Sequence, residues 1–472
     1  MKRITLHLLL MLDACAGPGG AQEQFAGAAP PVAVHVNVLR KGEAWTADFR
    51  FNRATPAWVF VGSPVTHDGR SWRPQSWTVE TPGVRLERRG RYDVFLAADG
   101  GSVPRNVRIR FTPFGGTVAT SYDPALLFTD GSIALFSEQF DAFPLSSAAT
   151  AAGLSADLNK AGVPDSRTRV RFRDADGPVL HAGRRLGSVT MADDSGTYVL
   201  FGPAQPIVTD AMAAVIDPQL PQWIRETLQQ SVPEILGRYA AVLGPPPGPK
   251  PTVMVNWAGP SKGKASMSGS VLPGLIAMRY EGEGVLNESP RGRDYGLWFI
   301  AHEAAHFWLG QKVRYGSPYE SWITEGGADL LAIRMVPQVH AGYDAGVKLQ
   351  SELDDCVKLS AGRGVAAAIE RHEYRAHYAC GVVFALVAEA ASGGSFTHFV
   401  QRLIREKGAD GVVTRAEWLA LLDEVSEDPL LSRDIGEILD RGATDSKVAI
   451  GSLFARAGVR HSVSPEGSLR LL

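Results

Sequence analysis

Between Val32 and Phe201 apolar residues recur at every second position, and from about Ile207 they recur at helical spacing. No other feature of the chain constrains its fold as much as this change of period. Val32, Val34, Val36 and Val38 share one face, as do Trp45, Ala47, Phe49 and Phe51, then Val107, Ile109 and Phe111, then Val170 and Phe172. Short runs of period two, separated by Gly, Pro, Asp and Asn, read as half-buried antiparallel strands. With no fixed-period repeat, residues 30–205 are expected to form an N-terminal antiparallel all-β domain. Beyond it, Trp223, Leu228, Val232, Ile235, Leu236, Tyr239 and Leu243 mark a helix with Pro233 as a kink, stopped at Gly244-Pro245-Pro246-Pro247-Gly248-Pro249. Residues 252–257 and 275–280 read as strands on either side of a Gly/Ser-rich loop, and from Asp294 the pattern is mainly helical. The fold class is therefore α+β, with a mixed α/β unit over 206–395 and a small helical C-terminal region over 396–472. There, Thr414-Arg415-Ala416-Glu417 has the spacing of a capping box.

Composition narrows the chemistry. The 472 residues carry 48 Lys+Arg against 50 Asp+Glu, so the whole chain lacks the basic field of a nucleic-acid binder, and no nucleic-acid partner is expected. Three Cys cannot build a disulfide framework or a four-Cys zinc site, which leaves His and carboxylates to hold any metal. Met1-Lys2-Arg3, the apolar run from Ile4 to Leu12 and Ala14-Cys15-Ala16 read as a secretory signal over residues 1–22. As a helix the apolar run reaches only about 14 Å against a hydrocarbon core of about 30 Å, so it cannot span a bilayer. Leu12-Asp13-Ala14-Cys15 resembles a bacterial lipobox. An exported protein with a lipid anchor at Cys15 and a soluble periplasmic or secreted protein are both consistent with it. No later stretch reaches eighteen apolar residues, so no transmembrane span is expected. In an oxidising compartment Cys356 and Cys380 either pair or stay as two buried thiols.

The segment that carries chemistry is Trp298-Phe299-Ile300-Ala301-His302-Glu303-Ala304-Ala305-His306-Phe307-Trp308-Leu309-Gly310. Residues four apart on a helix lie one turn apart on the same side, so His302 and His306 aim two imidazoles at one point, a bite suited to zinc. Glu303, one step round the axis, is placed to take a proton from water that the metal activates. Apolar neighbours make this a buried helix, where unpaired His and Glu would cost several kcal/mol. Eighteen residues after His306 comes Glu325, at the start of a second helix. Two His and one Glu leave one position of a single Zn2+ open, the arrangement of a catalytic site. Asp329, one turn beyond Glu325, is placed to hold a ligand His by its other ring nitrogen.

HExxH, eighteen residues, then Glu resembles the zinc signature of the gluzincin metallopeptidases related to aminopeptidase N and the leukotriene-hydrolase aminopeptidases. The flanks agree: residues 302–310 are similar to that family's HELAHQWFG, and Trp322-Ile323-Thr324-Glu325-Gly326 to its WLNEG. Tyr378-Ala379-Cys380-Gly381-Val382 is similar to its Tyr-x-x-Gly-Ala. The resemblance implies a thermolysin-like zinc peptidase domain acting on a peptide or protein substrate, with Tyr378 donating a hydrogen bond to the oxyanion and Tyr374 as the nearest rival. One departure stands out. The family's aminopeptidases carry Gly-x-Met-Glu-Asn on a strand whose Glu binds the substrate's free amine. The matching stretch here is Ser268-Gly269-Ser270-Val271-Leu272-Pro273-Gly274, with Val271 in the place of that Glu. Gly269, Val271 and Gly274 would still line the cleft and pair with substrate backbone. Aminopeptidase specificity would need a substitute carboxylate, for which Glu281 and Glu283 are the candidates. The resemblance fails after residue 400, where the chain is too short for the family's closing helical domain.

Two other readings compete. Gly259-Pro260-Ser261-Lys262-Gly263 fits G-x-S-x-G after a strand, but the Gly- and Ser-rich residues that follow do not supply the helix a nucleophile elbow requires. A gluzincin-fold binding protein without activity is the non-enzymatic reading, set against the presence of every expected catalytic residue.

Overall fold

The computed structural model describes residues 32–472 apart from 120, 156, 157, 159, 160, 165, 192–195, 408–410 and 466. The expected signal and Cys15 lie outside the described residues. The alternating segments fold as strands. β1 (Val32–Lys41), β2 (Ala44–Phe51), β3 (Trp77–Val79), β4 (Asn106–Phe111), β5 (Arg167–Asp174) and β6 (Val189–Met191) form one sheet in the order β6-β5-β1-β2-β4-β3. The expectation of an antiparallel domain fails at one pair: β1 and β5 run parallel, with Val36 opposite Val170. Alternation is the same in parallel and antiparallel strands that bury one face, so the sequence pattern carried no sign of direction.

The inner face of this sheet (Val34, Val36, Phe49, Phe51, Ile109, Phe172) packs on Trp58, Phe60 and Phe95 of a four-stranded sheet and on Val199 and Phe201 of a five-stranded one. That five-stranded sheet turns its other side, with Leu126, Phe136, Leu180, Tyr198 and Leu200, toward Val215, Met254, Leu272, Leu275 and Ala277. A continuous apolar seam therefore joins the β-rich half to the next sheet.

That next sheet contains β7 (Ile207–Val208), β8 (Ala213–Ile216), β9 (Thr252–Trp257), β10 (Ser266–Leu272) and β11 (Leu275–Glu281), in the order β7-β8-β9-β11-β10. β8, β9 and β11 are parallel, and β10 runs antiparallel along the edge. The Gly/Ser-rich stretch is thus a loop only as far as Ala265. Low intrinsic strand preference from Ser266 onward is overridden by pairing with β11.

Five helices cover this sheet and build the site: α1 (Gln222–Leu243), unbroken at Pro233, α2 (Pro290–Ala305), α3 (Trp322–Val339), α4 (Ala345–Leu359) and α5 (Arg375–Ala391). A disulfide between Cys356 and Cys380 ties α4 to α5, deciding between the two alternatives for these residues. The C-terminal helices share one hydrophobic core with α1 to α5 through Trp418, Leu431, Ile435 and Leu453. Thr414 and Glu417 form the capping box that opens Arg415–Ser426. Among the described residues no single helix is long and apolar enough to cross a membrane.

Candidate metal centre

α2 starts at Ser289, whose side chain accepts from the Gly292 N–H, with Pro290 in the first turn. It ends in the motif itself. His302 and Glu303 occupy its last turn and His306 is its C-cap, so the negative end of the helix dipole faces the point where the side chains meet. α3 begins at Trp322, putting Glu325 in its first turn, opposite the two histidines.

The ligand atoms converge. His302 Nε2 lies 2.9 Å from His306 Nε2, and Glu325 Oε2 is 3.6 Å from the first and 3.4 Å from the second. All three residues are buried. The outer ring nitrogens decide what the inner ones can be. His306 Nδ1 sits 2.8 Å from the Leu309 carbonyl, which only accepts, so Nδ1 carries the proton. His302 Nδ1 lies 2.7 Å from Asp329 Oδ1, which likewise draws a proton to that nitrogen. In the neutral rings both Nε2 atoms then present lone pairs to each other and to a carboxylate oxygen. Three such donors, buried and within 3.6 Å of one another, repel unless a cation or a proton sits between them. The donor set and spacing suit a zinc ion at its ordinary ligand distances of about 2.0–2.2 Å.

Electrostatics follow from this crowding. Burial pushes the His302 ring down, but the Asp329 carboxylate, then Glu325 and Glu303, overcome it and leave the metal-free ring at about 10. Burial likewise opposes a charge on Glu325, yet His306 and His302 hold it well below the usual carboxylate range. Glu303 moves the other way: burial pushes its carboxyl up, with the two histidines only partly offsetting it. Its Oε2 is buried without a hydrogen-bond partner in the protein, so this oxygen is free to take a proton from a reactant. Tyr378 stacks on the His302 ring at 5.9 Å between centroids, whereas Tyr374 interacts with His372 at the start of α5. Of the two tyrosines, Tyr378 is the one at the centre.

The edge strand lies beside the site. A Cβ on Gly269 would meet the Phe299 ring of α2 at 2.8 Å, so the strand passes directly over that helix. Val271 is buried in the core, and its carbonyl accepts from the Tyr122 hydroxyl of the β-rich half at 3.2 Å. Gly274, at φ 67°, forms the tight turn into β11. The candidate substitute Glu281 pairs with Ser266, at the far end of the hairpin from Val271, and its side chain accepts from Ser261 and Lys264. That bond engages Ser261, and the next element is a strand, so no nucleophile elbow forms at residues 259–263.

Some of the supporting residues gave no readable signal. The Leu309 carbonyl and the Tyr122 hydroxyl act by position alone. The glycines of the two motifs could have been read: a Cβ on Gly326 would fall 2.2 Å from the Gly381 backbone, and one on Gly381 would fall 2.4 Å from the Trp322 carbonyl. α3 and α5 touch backbone to backbone where Glu325 and Tyr378 project.

No protein-family model matches this chain, and no curated protein matches its sequence. Its fold is similar to solved structures. An aminopeptidase N family protein from Idiomarina loihiensis superposes with a TM-score of 0.60 at 10% identity, over 89% of this chain and 78% of that one. Yeast LTA4 hydrolase in complex with bestatin gives 0.50 at 13% identity, over 87% and 68%. At these identities the likeness establishes a shared fold.

Proposed function

We propose that the chain is a zinc-dependent peptidase that hydrolyses peptide bonds with Glu303 as general base. The observation that carries this reading is the convergence of His302 Nε2, His306 Nε2 and Glu325 Oε2 beside an unpartnered oxygen of Glu303. The fold shared with the aminopeptidase N family protein and with yeast LTA4 hydrolase supports it. His302, His306 and Glu325 would hold the ion, and Asp329 fixes the His302 tautomer. When bound, zinc supplies Lewis acidity that makes water a better acid and the scissile carbonyl a better electrophile. Glu303 takes the proton of the attacking water and delivers it to the leaving amine, a role its burial favours by raising its proton affinity. Tyr378 donates its hydroxyl proton in a hydrogen bond to the oxyanion that forms during attack.

Recognition of a free amino terminus is not part of this reading. Val271 offers no charge to an ammonium group, and Glu281 is already engaged by Ser261 and Lys264. β10, as the sheet edge, can add a substrate strand, so substrates are held by their backbone and cut internally. We also propose export, to give a protein that is either soluble in the periplasm or medium or anchored by a lipid at Cys15. The test offers the zinc-loaded protein a mixed peptide library in free and N-acetylated forms, with cleavage sites read by mass spectrometry. Internal cuts indifferent to acetylation are expected. Cleavage only of free peptides, one residue in, would show an amine site, and no cleavage with zinc bound would favour the binding-protein reading.

A further inference from the structure

The outer face of the six-stranded sheet carries a charge pattern that the near-neutral total conceals. Register places its side chains in three rows. Arg169, His35, Arg50 and Asn106 form one row; Thr190, Arg171, Asn37, Asp48 and Arg108 the next; Arg173, Leu39, Thr46 and Arg110 the third. All six arginines are exposed. Asp48 and Glu80 stand beside Arg108 and Arg110 and offset them. At the β5–β1–β2 side the balance is different. Among the described residues Arg50, Arg169 and Arg173 form no ion pair, and Arg171 reaches only the Ser188 hydroxyl. Their cross-strand neighbours on β1 are His35, Asn37 and Leu39, none of them acidic.

We propose that this face docks on a bilayer containing anionic phospholipids. Strand geometry gives the three rows a flat extent of roughly 14 Å by 19 Å. Among the described residues the face has no projecting helix to enter a nucleic-acid groove and no exposed aromatic ring for bases to stack on, which favours a planar anionic surface over a polynucleotide. The position of the leader points the same way. The chain enters this sheet at Val32, on the strand between β5 and β2, and seventeen residues upstream is Cys15. A lipid there would hold the arginines within at most about 60 Å of the membrane, where one acyl-type anchor and a basic patch reinforce each other. The face also lies on the opposite side of the β-rich half from the seam with the zinc-site sheet, so docking leaves the metal centre turned away from the bilayer.

The test uses the full chain carrying Cys15→Ser, so that no lipid is attached, in sedimentation with vesicles of phosphatidylcholine alone or mixed with phosphatidylglycerol. Binding is expected only to the mixed vesicles and is expected to weaken as salt rises. Each arginine near an anionic surface contributes about fivefold in affinity, so replacing Arg50, Arg169, Arg171 and Arg173 together by Gln should weaken binding on the order of a hundredfold or more. The matching four Lys replacements should keep it, which separates lost charge from a damaged sheet. Equal binding to both vesicle types, no binding, or a Gln variant that binds as the parent does would overturn the proposal. Binding to duplex DNA tighter than to the mixed vesicles would overturn it in favour of a nucleic-acid face.

Discussion

At His302 the metal-free protein resolves its crowding by holding a proton, and that proton has a measurable consequence. The folded ring stays protonated up to about 10, above its ordinary value of 6.5, and zinc binds only the neutral ring. Zinc uptake at neutral pH should therefore release at least about one proton, and affinity should rise with pH until about 10. Titration calorimetry in two buffers of different ionisation enthalpy measures this, and uptake without proton release would contradict it. Asp329 orients the same ring from behind. Asp329→Ala should raise the zinc Kd roughly 10- to 100-fold, measured by competition with a chelator. Tyr378→Phe should keep its zinc and lose about two to three decades of kcat. An unchanged kcat would remove Tyr378 from the mechanism.

At the scale of elements, the site depends on how closely α3 and α5 approach. Gly326 and Gly381 meet backbone to backbone, so Gly326→Ala must push the helices apart and should cost about 1–3 kcal/mol while moving Glu325 away from the histidines. A lowered melting temperature together with weakened zinc binding is the expected pair of results. On the far side α5 is held to α4 by the Cys356–Cys380 bond and by Arg375 bridging Glu352 and Asp355. Replacing both cysteines by Ala should cost roughly 3 kcal/mol for a loop of this length, read from chemical denaturation. The sequence made the functional elements legible because their chemistry fixes spacing: HExxH needs one helical turn, and the ligand Glu opens the next long helix. Local propensity did not show that β10 is a strand, because Gly and Ser in an edge strand draw their order from the neighbouring strand; only the resemblance of residues 268–274 to a family strand implied it. Nor could alternation show that β1 and β5 run parallel.

Over the whole molecule, two sandwiched layers of strands sit on the sheet of the candidate metal centre, whose helices share one core with the C-terminal helices and the final strand at Leu469. The C-terminal helices are therefore part of the domain that carries the candidate metal centre. A chain ending at Gly394 would uncover Trp322, whose ring packs on both Phe384 and Trp418, and is expected to lose cooperative thermal unfolding. A sharp melt in that truncated chain would contradict the single-core account. Total charge was a poor guide at this scale. A net of -2 hides a basic sheet face that appears only when cross-strand register sets the arginines of β5 and Arg50 of β2 on either side of β1.

The central claim is that three side chains hold zinc while a fourth, not bound to it, moves the proton. Glu303→Gln separates these roles, since the amide keeps the shape of the side chain and cannot act as a base. Metal analysis and peptide hydrolysis on the same preparation should show one zinc per chain, as in the parent, with the rate lowered by at least about a hundredfold. Hydrolysis near the parent rate with zinc in place would contradict the account.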